Sequence, residues 1–126
     1  MPMEELLLEP TEKFPEVKFR EGFISISGRS IPEDPTKEYK PLLNWVRKYV
    51  KNPAQYTEVR IQIEYSDTRS TKCIFDILKV LAKCRNRNHR KEMIFNWVYE
   101  EGDGEIVELG EFMESKLNVM FNYIKD

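Results

Sequence analysis

Val59-Arg60-Ile61-Gln62-Ile63-Glu64-Tyr65, running on through Ser66-Asp67-Thr68-Arg69-Ser70-Thr71-Lys72 into Cys73-Ile74-Phe75-Asp76-Ile77-Leu78, decides how this chain is read. Apolar side chains at 59, 61, 63 and 65 alternate with Arg60, Gln62 and Glu64, the period of a strand with one buried and one wetted face. A helix from about Ser70 to Lys83 follows, with Ile74, Ile77, Leu78 and Leu81 at its core spacing. Between them lies a polar junction. A hydroxyl at that helix start faces unpaired backbone N–H groups and the positive end of the helix dipole, so it is a place where a phosphate can be held. Thr68 is the first choice of acceptor, with Asp67, Arg69, Ser70, Thr71 and Lys72 around it. Asp, Ser and Thr are also the residues that cap helices, and from spacing alone capping is the simpler account.

Outward from the junction, Phe14 to Arg20 and Phe23 to Ser27 alternate on either side of Glu21-Gly22, a hairpin that places Val17 and Phe19 beside Ile24 and Ile26. Gly28 to Pro35 breaks the pattern, with Asp34 as N-cap and Pro35 opening a helix. Tyr39, Leu42, Leu43, Val46 and Val50 form its buried stripe, and Asn52-Pro53 ends it. Met93 to Tyr99 is apolar on both faces. That marks either an inner strand or one whose outer face, with Phe95, Trp97 and Tyr99, meets a partner. After the acidic turn Glu100 to Gly104, Ile106, Leu109 and Met113 fit a short third helix and Val119 to Ile124 a closing strand. Residues 1–12, with Leu6-Leu7-Leu8, read either as a strand or as a loosely docked tail. The order β-β-α-β-α-β-α-β predicts an α/β fold: one two-layer domain over 1–126, a mixed sheet with an N-terminal hairpin followed by βα units, helices mainly on one face.

Composition narrows the function. The 126 residues make one domain, and 20 Lys+Arg against 22 Asp+Glu leave a net charge of -2, so no global field recommends nucleic acid or an anionic membrane. No run is long and apolar enough to insert in a bilayer, and the first residues lack a secretory signal, so the expected location is cytoplasmic. Cys73 and Cys84 stand eleven residues apart on one helix, roughly 16 Å along its axis, and are expected to be reduced. The single histidine, His89, has no nucleophile motif to serve, the cysteines lack zinc spacing, and no glycine-rich phosphate loop occurs. The chain is therefore expected not to be an enzyme and to need no cofactor or metal. The basic cluster Lys83, Arg85, Arg87, Arg90 and Lys91 has no interleaved aromatics and reads as a solvated loop.

Four segments give a more specific reading: Gly28-Arg29-Ser30 with Pro32-Glu33, Pro41-Leu42-Leu43-Asn44-Trp45, Tyr65 to Lys72 with Asp76-Ile77-Leu78, and Trp97-Val98-Tyr99 with Glu108-Leu109-Gly110-Glu111. In this order and spacing the chain resembles the SiaC family of bacterial regulatory phosphoproteins, whose domain is similar in outline to the anti-sigma-factor-antagonist, or STAS-like, fold. The resemblance implies that Thr68 accepts phosphate from a cognate serine/threonine kinase and loses it to a phosphatase. It also implies that the protein binds an effector, a diguanylate cyclase in cyclic-di-GMP signalling. The family's junction reads Asn-Thr-Ser-Ser-x-Lys. Ser70 and Lys72 match it, whereas Asp67 and Arg69 replace asparagine and serine, the first repelling and the second attracting a phosphate. The alternative reading is a small-molecule or nucleotide-phosphate module that uses the same helix start.

Overall fold

In the computed structural model, which describes residues 3–126, six strands form one sheet in chain order. They are β1 (Leu6–Leu8), β2 (Glu16–Arg20), β3 (Phe23–Ser30), β4 (Tyr56–Ser66), β5 (Glu92–Tyr99) and β6 (Phe121–Lys125), with helices α1 (Pro35–Tyr49), α2 (Thr68–Arg87) and α3 (Gly104–Leu117) between the last four. The pairs β1–β2 and β2–β3 are antiparallel, and β3 to β6 run parallel. Each parallel step moves the same way across the sheet. Right-handed crossovers therefore place all three helices on one face, which gives the two-layer α/β architecture expected from the sequence.

The hairpin has the register read from its alternation, Val17 opposite Ile26 and Phe19 opposite Ile24, with Gly22 at φ 84° in the turn. Parallel pairing carries that face across the sheet: Ile24 beside Val59, Ile26 beside Ile61, Val59 beside Phe95 and Ile61 beside Trp97. Tyr39, Leu42 and Val46 of α1, Ile74, Ile77, Leu78 and Leu81 of α2, and Ile106 and Met113 of α3 close over it. The other face is open and polar. There Asn96 Nδ2 donates to Glu58 Oε2 (2.9 Å) and Asn122 Nδ2 to Asn96 Oδ1 (3.1 Å), a side-chain row across three strands.

Several boundaries shift. Residues 6–8 form a third antiparallel strand, Leu6 opposite Phe19, and Trp45 Nε1 of α1 donates to the carbonyl of Glu4 (2.7 Å), so the N-terminal segment is docked. Gly28 at φ 124° does not end β3. The strand passes through a bulge there and pairs on to Ser30. The third helix is longer than expected, and Cys84 to Arg87 form the last turn of α2 rather than a loop. Both thiols are free and half-buried.

The partner face assigned to Phe95, Trp97 and Tyr99 is corrected. Phe95 and Trp97 are 3% and 1% exposed, and Tyr99 is only half-buried. All three alternate onto the helix side of β5, where α3 packs: Trp97 Nε1 donates to the carbonyl of Ile106 (2.9 Å). Of the two readings of this run the inner strand is the one observed: β5 lies between β4 and β6, and the parallel register puts Phe95 and Trp97 in the core.

Candidate functional site at the start of helix α2

Asp67 is the hinge between β4 and α2. Its backbone is extended (φ -73°, ψ 172°), its Oδ1 accepts from Ser70 N (2.7 Å), and its carbonyl accepts the first helical bond from Thr71 N (2.9 Å). Its own N–H donates to the carbonyl of Ser30 (3.1 Å), which ties the helix start to the end of β3. The capping expected of the junction is thus present, supplied by Asp67 alone.

The hydroxyls around it are held differently. Thr71 Oγ1 donates to the Asp67 carbonyl (2.8 Å), so the 2.6 Å contact with Ser66 Oγ takes its proton from Ser66. Ser70 Oγ is sealed in the interior with no hydrogen-bond partner among the described residues. Such a group costs about 1–3 kcal/mol. Thr68 differs from both: it is exposed and its hydroxyl makes no hydrogen bond among the described residues. As the first residue of the helix it also stands beside backbone N–H groups that have no partner four residues back.

Thr68 and Lys72, one helical turn apart, form a ridge between two grooves. One groove, of about 700 Å³, lies between α1 and α2 and is lined by both residues together with Lys40, Leu43, Arg47 and Cys73. The other, of about 380 Å³, lies between α2 and α3 over Phe75, Leu109, Phe112 and Met113. Arg69 stands 3.9 Å from Asp34, and Lys72 Nζ donates to both oxygens of Asp76 (3.1 and 3.2 Å). These are exposed pairs worth ~1 kcal/mol or less, easily exchanged for another anion. Burial pushes the Tyr39 phenol up, and burial reinforced by Asp76 pushes the Cys73 thiol up, so neither carries charge at neutral pH.

His89 lies beyond the far end of the 20-residue α2, and no group of three metal-ligating side chains occurs among the described residues. The grooves themselves escaped sequence reading. Lys40, Asn44 and Arg47 recur at helical spacing, which is a visible signal, but which helix faces them is not. Phe112, 58% exposed, gives no signal of its own in the sequence, because its neighbours Leu109 and Met113 account for the helix.

A six-stranded sheet helix-covered on one side only, with an exposed hydroxyl at a capped helix start, defines a small two-layer α/β domain. The model of the family described as "SiaC family regulatory phosphoprotein" matches residues 8–126, and the chain belongs to that family. An uncharacterised protein of Pseudomonas aeruginosa (strain UCBPP-PA14) is 23% identical over 111 residues, 86% of each chain. Among solved structures, SiaC of Pseudomonas aeruginosa aligns with a TM-score of 0.81 at 21% identity, over 98% of this chain and 100% of that one. SiaC from the same organism in complex with the diguanylate cyclase SiaD, which it activates, aligns with a TM-score of 0.85 at 22% identity, over 96% and 99%. At such identities the likeness establishes the shared fold.

Proposed function

We propose that this chain is a non-catalytic regulatory phosphoprotein in which phosphate on Thr68 switches binding to a signalling partner. The partner is a diguanylate cyclase, as for the similar SiaC solved with SiaD, and a kinase and a phosphatase set the state of Thr68. The observation that carries this reading is the contrast at the junction: Ser70 is sealed, Ser66 and Thr71 bond each other, and Thr68 stands free in solvent. Of these four hydroxyls, Thr68 is the one a kinase reaches in solvent.

Phosphorylation adds about -1.5 to -2 charges. Arg69 and Lys72 attract that charge, the first-turn N–H groups accept it, and Asp67 opposes it. The helix start is therefore kept folded in both states, and the change is one of surface rather than of fold.

The test is intact-mass analysis after incubation with the cognate kinase and ATP. One added phosphate, absent from Thr68→Ala and retained in Thr71→Ala, is expected. Undiminished labelling of Thr68→Ala overturns the assignment.

The alternative, a phosphate-bearing small ligand at the same helix start, draws support from the volume of the α1/α2 groove and its four cations. Isothermal titration with nucleotides separates the two: millimolar or no affinity is expected.

A further inference from the structure

We infer that the end of the molecule away from Thr68, where the helices finish and the parallel strands begin, docks peripherally on an anionic lipid surface. Because β3 to β6 run parallel and each helix carries the chain back, helix C-termini and strand N-termini share one end of the fold. Hydrogen bonds tie its loops together: Gln55 Nε2 donates to the Arg90 carbonyl (2.6 Å), Lys91 Nζ to the Pro53 carbonyl, and Asn86 Nδ2 to the Asn118 carbonyl (3.2 Å). From Ile77 to Lys91 the chain contains no carboxylate. Lys83, Arg85, Arg87, Arg90 and Lys91 of that stretch are joined by Lys51, just past α1, and none of the six has a carboxylate within 4.0 Å among the described residues. Glu4, Glu5 and Glu21 stand at the hairpin side of this end, and Glu114 is engaged by Phe121 N (2.7 Å) and Tyr123 Oη (2.8 Å), which leaves Glu92 as the exposed acid beside the cations. The opposite end is acidic: Asp34, Asp67 and Asp103 cap the helices, and the cations Arg29, Arg69 and Lys125 are each paired with an acid. The net charge of -2 thus conceals two poles, in the sense that the helix dipoles favour.

Apolar side chains choose among polyanions. Met120, 83% exposed, precedes β6, and Tyr56, 49% exposed, opens β4, so the two flank the start of β5 at this same end, on strands roughly 10 Å apart. In sequence no aromatic interleaves with the cations; the sheet is what brings these two beside them. A nucleic-acid backbone offers nothing to a solvated methionine. At a bilayer interface the methionine enters the acyl boundary, the tyrosine sits at headgroup level and the cations meet lipid phosphates. Hollows of about 290 and 270 Å³ lie on either side of the last turn of α2, one lined by Arg85, His89 and Lys91 against Glu92, the other by Lys83 and Arg87 over Val50 and Val80. Each is open to a headgroup phosphate. No helix among the described residues is long and apolar enough to cross a bilayer, so the contact stays at the surface. The acidic pole, repelled by the same lipids, sets the orientation: Thr68, about 28 Å along α2 from Arg87, points away from the membrane whether or not it is modified.

The experiment is sedimentation of the full chain with vesicles of phosphatidylcholine alone, or of phosphatidylcholine and phosphatidylglycerol in equal parts. Sedimentation with the anionic vesicles only, lost at high salt, is expected. Each basic side chain at such a surface contributes about fivefold to partitioning, so Lys83→Glu/Arg87→Glu should weaken it by about tenfold or more. Arg29→Glu/Lys125→Glu makes the same change of charge at the acidic pole, beyond the reach of screened charges, and should partition as the parent does. Lys83→Gln/Arg87→Gln, which places no anion at a helix C-terminus, keeps the test open if the charge-reversed pair does not fold, and should also lose about tenfold or more. Met120→Trp should shift its emission to the blue on anionic vesicles, beyond any shift of the parent. The inference is overturned by equal sedimentation with neutral vesicles, by no sedimentation with either, or by parent-like binding of both the Lys83/Arg87 variants. Unshifted Met120→Trp emission on bound protein, or duplex DNA bound more tightly than the anionic vesicles at equal salt, overturns it as well.

Discussion

Trp97 and Gly110 are in contact: a Cβ built on Gly110 would fall 2.7 Å from Trp97 Nε1 and 2.8 Å from Cε2. The indole cannot yield, because Nε1 is held by the Ile106 carbonyl (2.9 Å) and the ring stacks on Phe121, centroids 5.6 Å apart. Glycine inside α3 is thus the condition for that helix to lie against β5. Gly110→Ala gains up to ~1 kcal/mol of helix propensity but incurs about 1–3 kcal/mol of overpacking. A net loss of up to about 2 kcal/mol in urea unfolding is expected once the full propensity gain is subtracted, and Gly110→Ala that stabilises the protein would refute the contact.

Tyr49 joins three separate segments through one hydroxyl. It accepts from Gly22 N (2.9 Å) in the hairpin turn and from Ala54 N (3.2 Å), and donates to Thr57 Oγ1 (2.7 Å) at the start of β4. Tyr49→Phe keeps the ring and strands these partners, at about 1–3 kcal/mol for each buried group left bare. A loss of about 2–3 kcal/mol is expected, with amide exchange at Gly22 and Ala54 accelerated more than at Ile77.

Asp67 caps α2 but also stands next to the hydroxyl proposed to carry phosphate. Asparagine caps about as well as aspartate and has no charge. Asp67→Asn should leave thermal stability within about 0.5 kcal/mol of the parent. The phosphorylated form should gain, visible as a lower second pKa of the phosphothreonine by phosphorus NMR. An unchanged pKa would show that Asp67 does not reach the phosphate. Asp67→Ala, by contrast, should cost about 1 kcal/mol in either state.

Alkaline pH should destabilise the fold in two steps. Burial raises the Cys73 and Cys84 thiols above their ordinary 9.0, and the Tyr39 and Tyr123 phenols above their ordinary 10.0. Raised folded-state values mean that the native protein holds its protons longer than the unfolded chain. The associated stability is complete below the unfolded values and is lost as pH rises through them toward the folded ones. The melting temperature should be level from about pH 6.5 to 8 and fall from about 9 upward. Cys73→Ala/Cys84→Ala should remove the first part of that fall and leave the part above 10.0. A flat curve to pH 10.5 would contradict the burial assigned to these groups.

Much of this molecule was written in local pattern. The period-two runs at 14–27 and 59–65, the Asp34-Pro35 start and the stripes of α1 and α2 needed only neighbouring residues to be recognised, because strand and helix periodicity are properties of a few turns of chain. The junction at Asp67 to Lys72 and its candidate hydroxyl were legible for the same reason. Register and packing were not. Only when β5 is slotted beside β4 do Phe95 and Trp97 fall on the helix side, and only when α3 lands does Gly110 meet Trp97. Choosing among Ser66, Thr68, Ser70 and Thr71 likewise depended on depth, because which hydroxyl is sealed and which is wet follows from how α2 rotates against the sheet. Sequence thus determined the elements and the place of the polar junction, through short-range sterics and hydrophobic spacing. Tertiary structure alone decided which groups at that place are accessible and which two helices face each other to form the charged groove, since both are long-range consequences of packing.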